Sequence, residues 1–217
     1  LIDAGSKINY VTARIEDWVT EVQMSHIKRG ILRYPMHPSV YNTGFTGIGE
    51  FTSKSHGKAY KVWQSMLERG YSDKWHEKYP TYKNVSVHIS WHNFQTFAKW
   101  FIDSNYKEGW QLDKDLMVKG NKVYSEDTCI FIPARLNTFL ANTHSTNTSG
   151  HAGVRYVEHR NKWTATIHIE GKNKYLGYFT QKEDAIEAYA TARSTESEKL
   201  KEQYSSVLSA EAIENII

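Results

Sequence analysis

Gln111–Asn137, QLDKDLMVKGNKVYSEDTCIFIPARLN, is the stretch on which the reading of this chain turns. Short apolar runs stand at its two ends, separated by a polar loop that carries Gly120-Asn121, a favourable turn pair. The pattern predicts a strand over Gln111–Asp115, a second over Thr128–Pro133 and a helix over Ala134–Leu140. Asp113 and Asn137 then lie on opposite sides of a predicted hairpin. Two hard oxygen ligands brought together in this way can hold a divalent metal, for which Mg²⁺ needs only one or two protein ligands. A metal so held can drive phosphodiester cleavage. Asp115 reads as a second ligand or as a solvated strand-end residue. Asn121 reads as a turn residue, and Cys129 as a buried, inert mid-strand thiol.

Composition bounds the rest. The chain has 217 residues, enough for one large domain or two small ones, and its 40% apolar content supports a packed core. No apolar run approaches the roughly 20 residues of a membrane span, and no signal peptide is read at the N-terminus. One cysteine excludes an internal disulfide and a CxxC zinc site, so a reducing, cytoplasmic setting is expected. Residues 1–180 carry 23 Lys and Arg against 16 Asp and Glu, whereas residues 181–217 carry 4 against 8. A basic body with an acidic tail suits an anionic partner for the body.

Upstream of the central stretch, Thr12–Val22 fits a strand or a short helix equally. Residues 35–58 are loop-like, with a strand expected near Gly47–Phe51; GFTGIGE lacks the GK[ST] ending of a phosphate loop. Tyr60, Trp63, Met66 and Leu67 predict a helix over Ala59–Arg69 that Gly70 stops, and Tyr71–Asn84 reads as loop. Val85, Val87 and Ile89 alternate as a short strand, and Ser90 is placed to cap a helix running to Ile102. Downstream, ANTHSTNTSGHA (141–152) is the clearest linker, and the expected domain boundary. Three β runs follow, Val154–Val157, Trp163–Ile169 and Lys174–Phe179. Thr180 and Glu183 then form an expected capping box. The sum is an α+β chain in which a three-stranded sheet packs on one helix, and residues 196–217 form a further helical tail.

The residues LDKD…GNKVYSEDTCIFIPARLN resemble the ββα-metal unit of HNH endonucleases of the phage homing type. The preceding YKVWQSMLERGYSDKW…YPTYKNVSVHISWHNFQTFAKW resembles the flank of that unit, so residues 1–140 are expected to form the nuclease domain. The resemblance implies that Asp113 and Asn137 are metal ligands. It also implies a departure: the position after the first acid, usually a His general base, is Lys114. An ordinary Lys titrates at about 10.4, a poor base at neutral pH. Lys114 is therefore a base with a lowered pKa, a phosphate clamp, or the mark of a crippled nuclease. His88 and His92 are the nearest histidines that could serve instead.

GVRYVEHRNKWTATIHIEGKNKYLGYFTQKEDAIEAYATA resembles the Apetala-type, ethylene-response-factor-like DNA-binding domain, on its GVR, KWTATI, YLGYFT and EDAIEAYATA segments, giving a domain over 153–195. In that family a sheet lies in the DNA major groove. The resemblance gives Arg155 as a contact arginine, His168 in place of another, and Tyr175 in place of a Trp. Arg160, Lys162, Lys172 and Lys174 add positive charge to the same small sheet, and Trp163 is read as core. Lysines on phosphate would supply affinity and Arg155 could read a guanine edge. The combined expectation is a site-directed endonuclease on double-stranded DNA with Mg²⁺ or another divalent metal. The rival is a non-catalytic DNA-binding protein that keeps the fold. No membrane partner is expected, and a monomer is compatible with this reading.

Overall fold

The computed structural model describes residues 10–16, 18–141 and 149–216 of an α+β chain with small sheets, one of them three-stranded and antiparallel. Two compact units are present. One holds the described residues up to Asp103 together with Val123–Ser125, and the other holds Ser104–Lys122 and the described residues from Glu126 onward. Among the described residues, no helix is long and apolar enough to cross a membrane.

The first unit begins with a hairpin, β1 (Tyr10–Ile15) antiparallel to β2 (Trp18–Gln23), which settles the open reading of Thr12–Val22 as strand, turn and strand. A short helix, α1 (Met24–Lys28), follows. The strand expected at Gly47–Phe51 is absent. Its backbone groups are claimed elsewhere: Gly47 N–H donates to Pro35 O, and Gln95 Nε2 donates to Thr46 O and Phe51 O at 2.8 and 2.9 Å. These bonds tie both ends of the segment to other parts of the unit instead of to a ladder.

Helix α2 (Gly57–Tyr71) buries Ala59, Trp63, Met66, Leu67 and Gly70, a stripe at helical spacing. Gly70 does not stop the helix but lies inside it, and a Cβ there would touch Val87 Cγ2 at 3.4 Å. The expected loop beyond it contains α3 (Asp73–Lys78), capped by Ser72 Oγ, which accepts from Trp75 N at 3.3 Å. Strand β3 is only Ser86–Val87, and the chain then turns in a 3-10 segment, Ile89–His92. Ile89 points outward, 75% exposed, so its alternation with Val87 is a coincidence of spacing. Asn93, not Ser90, caps α4 (Phe94–Asp103), its Oδ1 accepting from Gln95 N. Trp63 Nε1 donates to Trp91 O at 2.7 Å, and Trp63, Met66, Leu67, Trp91, Phe94 and Phe97 are fully buried. Each aliphatic or phenyl side chain so buried contributes roughly 1.5–3 kcal/mol.

The second unit contains the central stretch. Strand β4 (Trp110–Asp113) pairs antiparallel with β6 (Ile130–Pro133), and α5 (Ala134–Leu140) follows directly. Between them, β5 (Val123–Tyr124) pairs in parallel with β3, within the first unit. The three-stranded sheet comprises β7 (Val154–Val157), β8 (Lys162–Ile169) and β9 (Lys172–Phe179), in that order. Helix α6 runs unbroken from Lys182 to Tyr204, and α7 (Ala210–Glu214) closes the chain. The capping box does not form: Gln181 occupies the N-cap and no side chain caps the helix.

Residues 142–148 of the expected linker lie outside the described residues; the two compact units part near residue 103. One organisational expectation is corrected. Residues 196–217 are not a separate tail. Leu200, Leu208, Ala212 and Ile216 form one core with Leu116, Ile132, Leu136 and Phe139 of the central stretch. The other end of α6 packs on the sheet, where Ala185, Ile186, Ala188 and Tyr189 meet Val154, Ala165, Leu176 and Phe179. The apolar face of α5 needed a cover, and the second half of α6 supplies it.

Candidate metal centre and nucleic-acid interface

Successive residues of a strand point to opposite faces, so Gln111 and Asp113 share one face of β4. Register adds Ile130 and Ile132 of β6 to that face, and Ile132 packs with Leu136 and Phe139 of α5. The Asn137 amide reaches the same face, Nδ2 donating to Gln111 Oε1 at 2.6 Å. Both expected metal ligands therefore stand on the side of β4 that α5 covers. Asp113 Oδ1 accepts the backbone N–H groups of Asp115 and Leu116 at 2.9 and 2.7 Å. That turn ends the strand two residues earlier than the sequence pattern predicts. Burial holds the Asp113 carboxyl above its ordinary value. The two amides pull against the rise, the Asp115 carboxylate adds to it and the Lys114 ammonium opposes it.

Lys114 is buried, 5% exposed. Its ammonium donates to both carboxylate oxygens of Asp115 at 2.7 and 2.8 Å and to Asn121 O at 2.8 Å. Asn121 returns the contact, its Nδ2 donating to Lys114 O at 2.9 Å. Lys114 and Asn121 thus lace the loop that leaves β4, with Gly120 at φ 77 completing the turn. Asp115 serves this pair. Asn121, expected only as a turn residue, also ties the turn to Lys114. Another contributor the sequence did not mark is Asn105. It mimics a neighbouring strand on β6, giving Nδ2–H to Phe131 O and accepting from Phe131 N at 2.9 and 3.1 Å.

His88 and His92 are built into the first unit. His88 Nδ1 lies 2.8 Å from Ser90 Oγ. His92 Nε2 lies 3.0 Å from Tyr71 Oη and 3.1 Å from Val87 O, and burial pushes its pKa down. Neither shares a unit with Asp113.

On the three-stranded sheet, register separates the basic residues into two sets. Arg155 pairs with Thr164, Thr164 with Tyr178, Thr166 with Tyr175, and His168 with Asn173. A bulge between Ala165 and Thr166 brings Tyr175 and Tyr178 to one face although they are three residues apart. Their rings meet edge to face at 5.3 Å. The Arg160 guanidinium lies 4.7 Å from the Tyr178 ring centroid, a contact worth about 0.5–1 kcal/mol at an exposed site. Lys162, one register step from the Trp163–Phe179 pair, alternates onto this face too. Arg155, Arg160, Lys162, His168 and Tyr175 are thereby gathered on the face away from α6, joined by Tyr178.

The second set lies on the same small sheet but on its other register face. Lys174 and Lys172 pair with Ile167 and Ile169, whose alternation belongs to the helix-covered face. Trp163 lies on that covered face as well, packed in the sheet–helix core as its sequence context suggests. Tyr178 escaped the sequence reading because strict alternation separates it from Tyr175; the Gly177 in YLGYF was the available signal for a bulge.

Compared with family models, with curated proteins and with solved structures, the chain matches none.

Proposed function

We propose that this chain is a metal-dependent, site-directed endonuclease acting on double-stranded DNA in the cytoplasm, an HNH-type unit guided by its three-stranded sheet. The observation that carries this reading is the bond between Asn137 and Gln111, which sets the Asn137 amide over the face of β4 that bears Asp113. Among the described residues, no group of three or more His, Cys, Asp or Glu side chains is gathered to hold a metal. The donors are one carboxylate and neutral amides. That set suits Mg²⁺, which takes hard oxygen ligands and keeps several waters and phosphate oxygens in its shell. Asp113 and Asn137 would hold the ion, Asn137 through Oδ1, since Nδ2 is given to Gln111. Bound there, a divalent ion supplies charge stabilisation for the leaving and phosphoryl oxygens of the scissile diester.

The chain's own groups do the placing. Asp113 Oδ1 is anchored by two backbone amides, which orients the carboxylate. Lys114 in this reading is a positioning residue that fixes the loop after Asp113, because its donors are directed to Asp115 and Asn121 rather than outward. Arg155, Arg160, Lys162, His168, Tyr175 and Tyr178 form a basic and aromatic face for DNA. Cations there contact phosphates, and Arg155 has the chemistry to read a guanine edge.

A second reading, a DNA-binding protein without cleavage activity, is favoured by the same Lys114. Its ammonium, buried and paired with Asp115, stands in place of the histidine that the resemblance places there. A plasmid cleavage assay with and without Mg²⁺, run beside a DNA-binding assay, separates the two. Mg²⁺-dependent cleavage lost in Asp113→Asn, with binding retained, supports the endonuclease. Binding without cleavage in any divalent metal defeats it.

A further inference from the structure

We infer that Arg135 is the node that fixes the DNA-facing sheet relative to Asn137, so that cleavage falls at a set offset from the bound site. The inference rests on the endonuclease reading for its functional half, and on three contacts for its structural half. Arg135 stands two residues before Asn137 on α5. Its Nη2 donates to Glu196 Oε1 of α6 at 2.7 Å and lies 3.3 Å from Glu170 Oε1. Glu170 occupies the turn between β8 and β9, with φ 53. Arg135 Nη1 donates to Gln203 Oε1 at 3.1 Å. One guanidinium therefore touches the helix that carries Asn137, the tip of the sheet's hairpin, and the helix that spans both.

A second strut lies one turn along. Arg193 Nη1 of α6 donates to Phe139 O at 3.1 Å, and its guanidinium sits 4.4 Å from the Phe139 ring centroid. Glu196 is 4% exposed, so its carboxylate depends on Arg135 for compensation. A flexible linker would let a reading module swing about a cutting unit. Here the sheet packs on the first half of α6, and α5 is braced to the second half. A continuous helix is a stiff spacer, about 1.5 Å per residue. The geometry makes α6 the ruler and Arg135 the fastening.

The test measures distance first and chemistry second. Spin labels at Thr138→Cys on α5 and Glu158→Cys beside the sheet, in a Cys129→Ala background, report the separation in the full chain. The unaltered contacts should give one narrow distance distribution. Arg135→Ala and the near-isosteric Glu196→Gln should broaden it, Arg135→Lys should restore part of the order, and Lys201→Ala, which breaks only the Lys201–Glu198 pair within α6, should leave it unchanged. In cleavage, Arg135→Ala should lower kcat on the order of 100-fold while the Kd for DNA stays put, because small misplacements of a reacting group cost about that much. Its cut positions should scatter where the unaltered chain gives one. A broad distribution in the unaltered protein overturns the inference, as does a narrow one in Arg135→Ala with its cut position unmoved. A narrow distribution that Arg135→Ala broadens, in a chain that cuts no DNA, sustains the fastening and defeats the endonuclease reading instead.

Discussion

The edge that bears Asp113 and the open face of the three-stranded sheet both collect polar side chains, but they treat them in opposite ways. At the edge, hydrogen bonds are spent internally. Lys114, Asp115 and Asn121 close on one another, Asp113 Oδ1 is held by two amides, and Asn137 is held by Gln111. On the sheet, Arg155, Lys162, His168, Tyr175 and Tyr178 are exposed on one face; His168 Nδ1 lies 2.9 Å from Asn173 Oδ1, and the tyrosines are ordered ring against ring and guanidinium against ring. A site that must hold a few atoms within a fraction of an ångström needs restrained side chains. A face that meets a long, hydrated polyanion gains more from long, adjustable cations and flat rings. On the endonuclease reading proposed above, the difference would separate positioning from recognition within one compact unit.

Four measurements would break or sharpen that contrast. The largest effect is expected for Asp113→Asn, which keeps the turn but removes the charge: Mg²⁺-dependent cleavage should vanish in a plasmid assay while DNA affinity holds. Next, Arg155→Ala should weaken DNA binding by about 1–3 kcal/mol and relax discrimination at one base position, read by titration against single-base variants of the site. Lys172→Ala, on the other register face, should cost less affinity than Arg155→Ala; an equal cost would show that the two faces are not distinct.

Third, Lys114→Ala should lower thermal stability by about 1–2 kcal/mol, less than a fully buried pair because Asp115 is half exposed and can be rehydrated. A variant as stable as the parent would mean that the lacing is idle. The smallest effect concerns pH. Asp113 has a raised pKa in the folded chain, so its contribution to stability is fully present below about 3.8 and is lost as pH rises through the folded value. Ionised Asp113 thus costs stability at neutral pH. Asp113→Asn should raise the melting temperature at pH 7, and the gain should shrink in acid. A fall at pH 7 would show that the carboxylate charge is better compensated than its burial implies.

The strands and helix around Asp113 were legible because their periods are distinct: two short apolar runs, a Gly-Asn turn, then a helical repeat. α5 begins and ends where the pattern predicts, and β7 does too. Boundaries failed where a side chain took over a backbone group. Asp113 ends β4 early, Gln95 dissolves an expected strand by capturing Thr46 and Phe51, and Asn93 takes the capping role assigned to Ser90. Such captures depend on which residues meet, and that is not local information. Lys114 shows the same limit at the candidate site. Its identity was plain, but a lysine's use as base, clamp or strut is set by what lies within 3 Å of Nζ.

The sequence by itself determined the element types of the central stretch and of the three-stranded sheet, and the basic and aromatic character of that sheet. Periodicity and turn chemistry act over a few residues, so they survive without the fold. Only the tertiary structure decided which face each cation occupies, because one bulge between Ala165 and Thr166 shifts the alternation that sequence reading assumes. It also decided that the expected tail is half of a core. Leu200 and Ile216 are ordinary apolar residues of a polar, acidic segment, and they acquire meaning when α5 needs a cover for Leu136 and Phe139. Long-range burial makes that choice, and no stretch of chain carries it in advance.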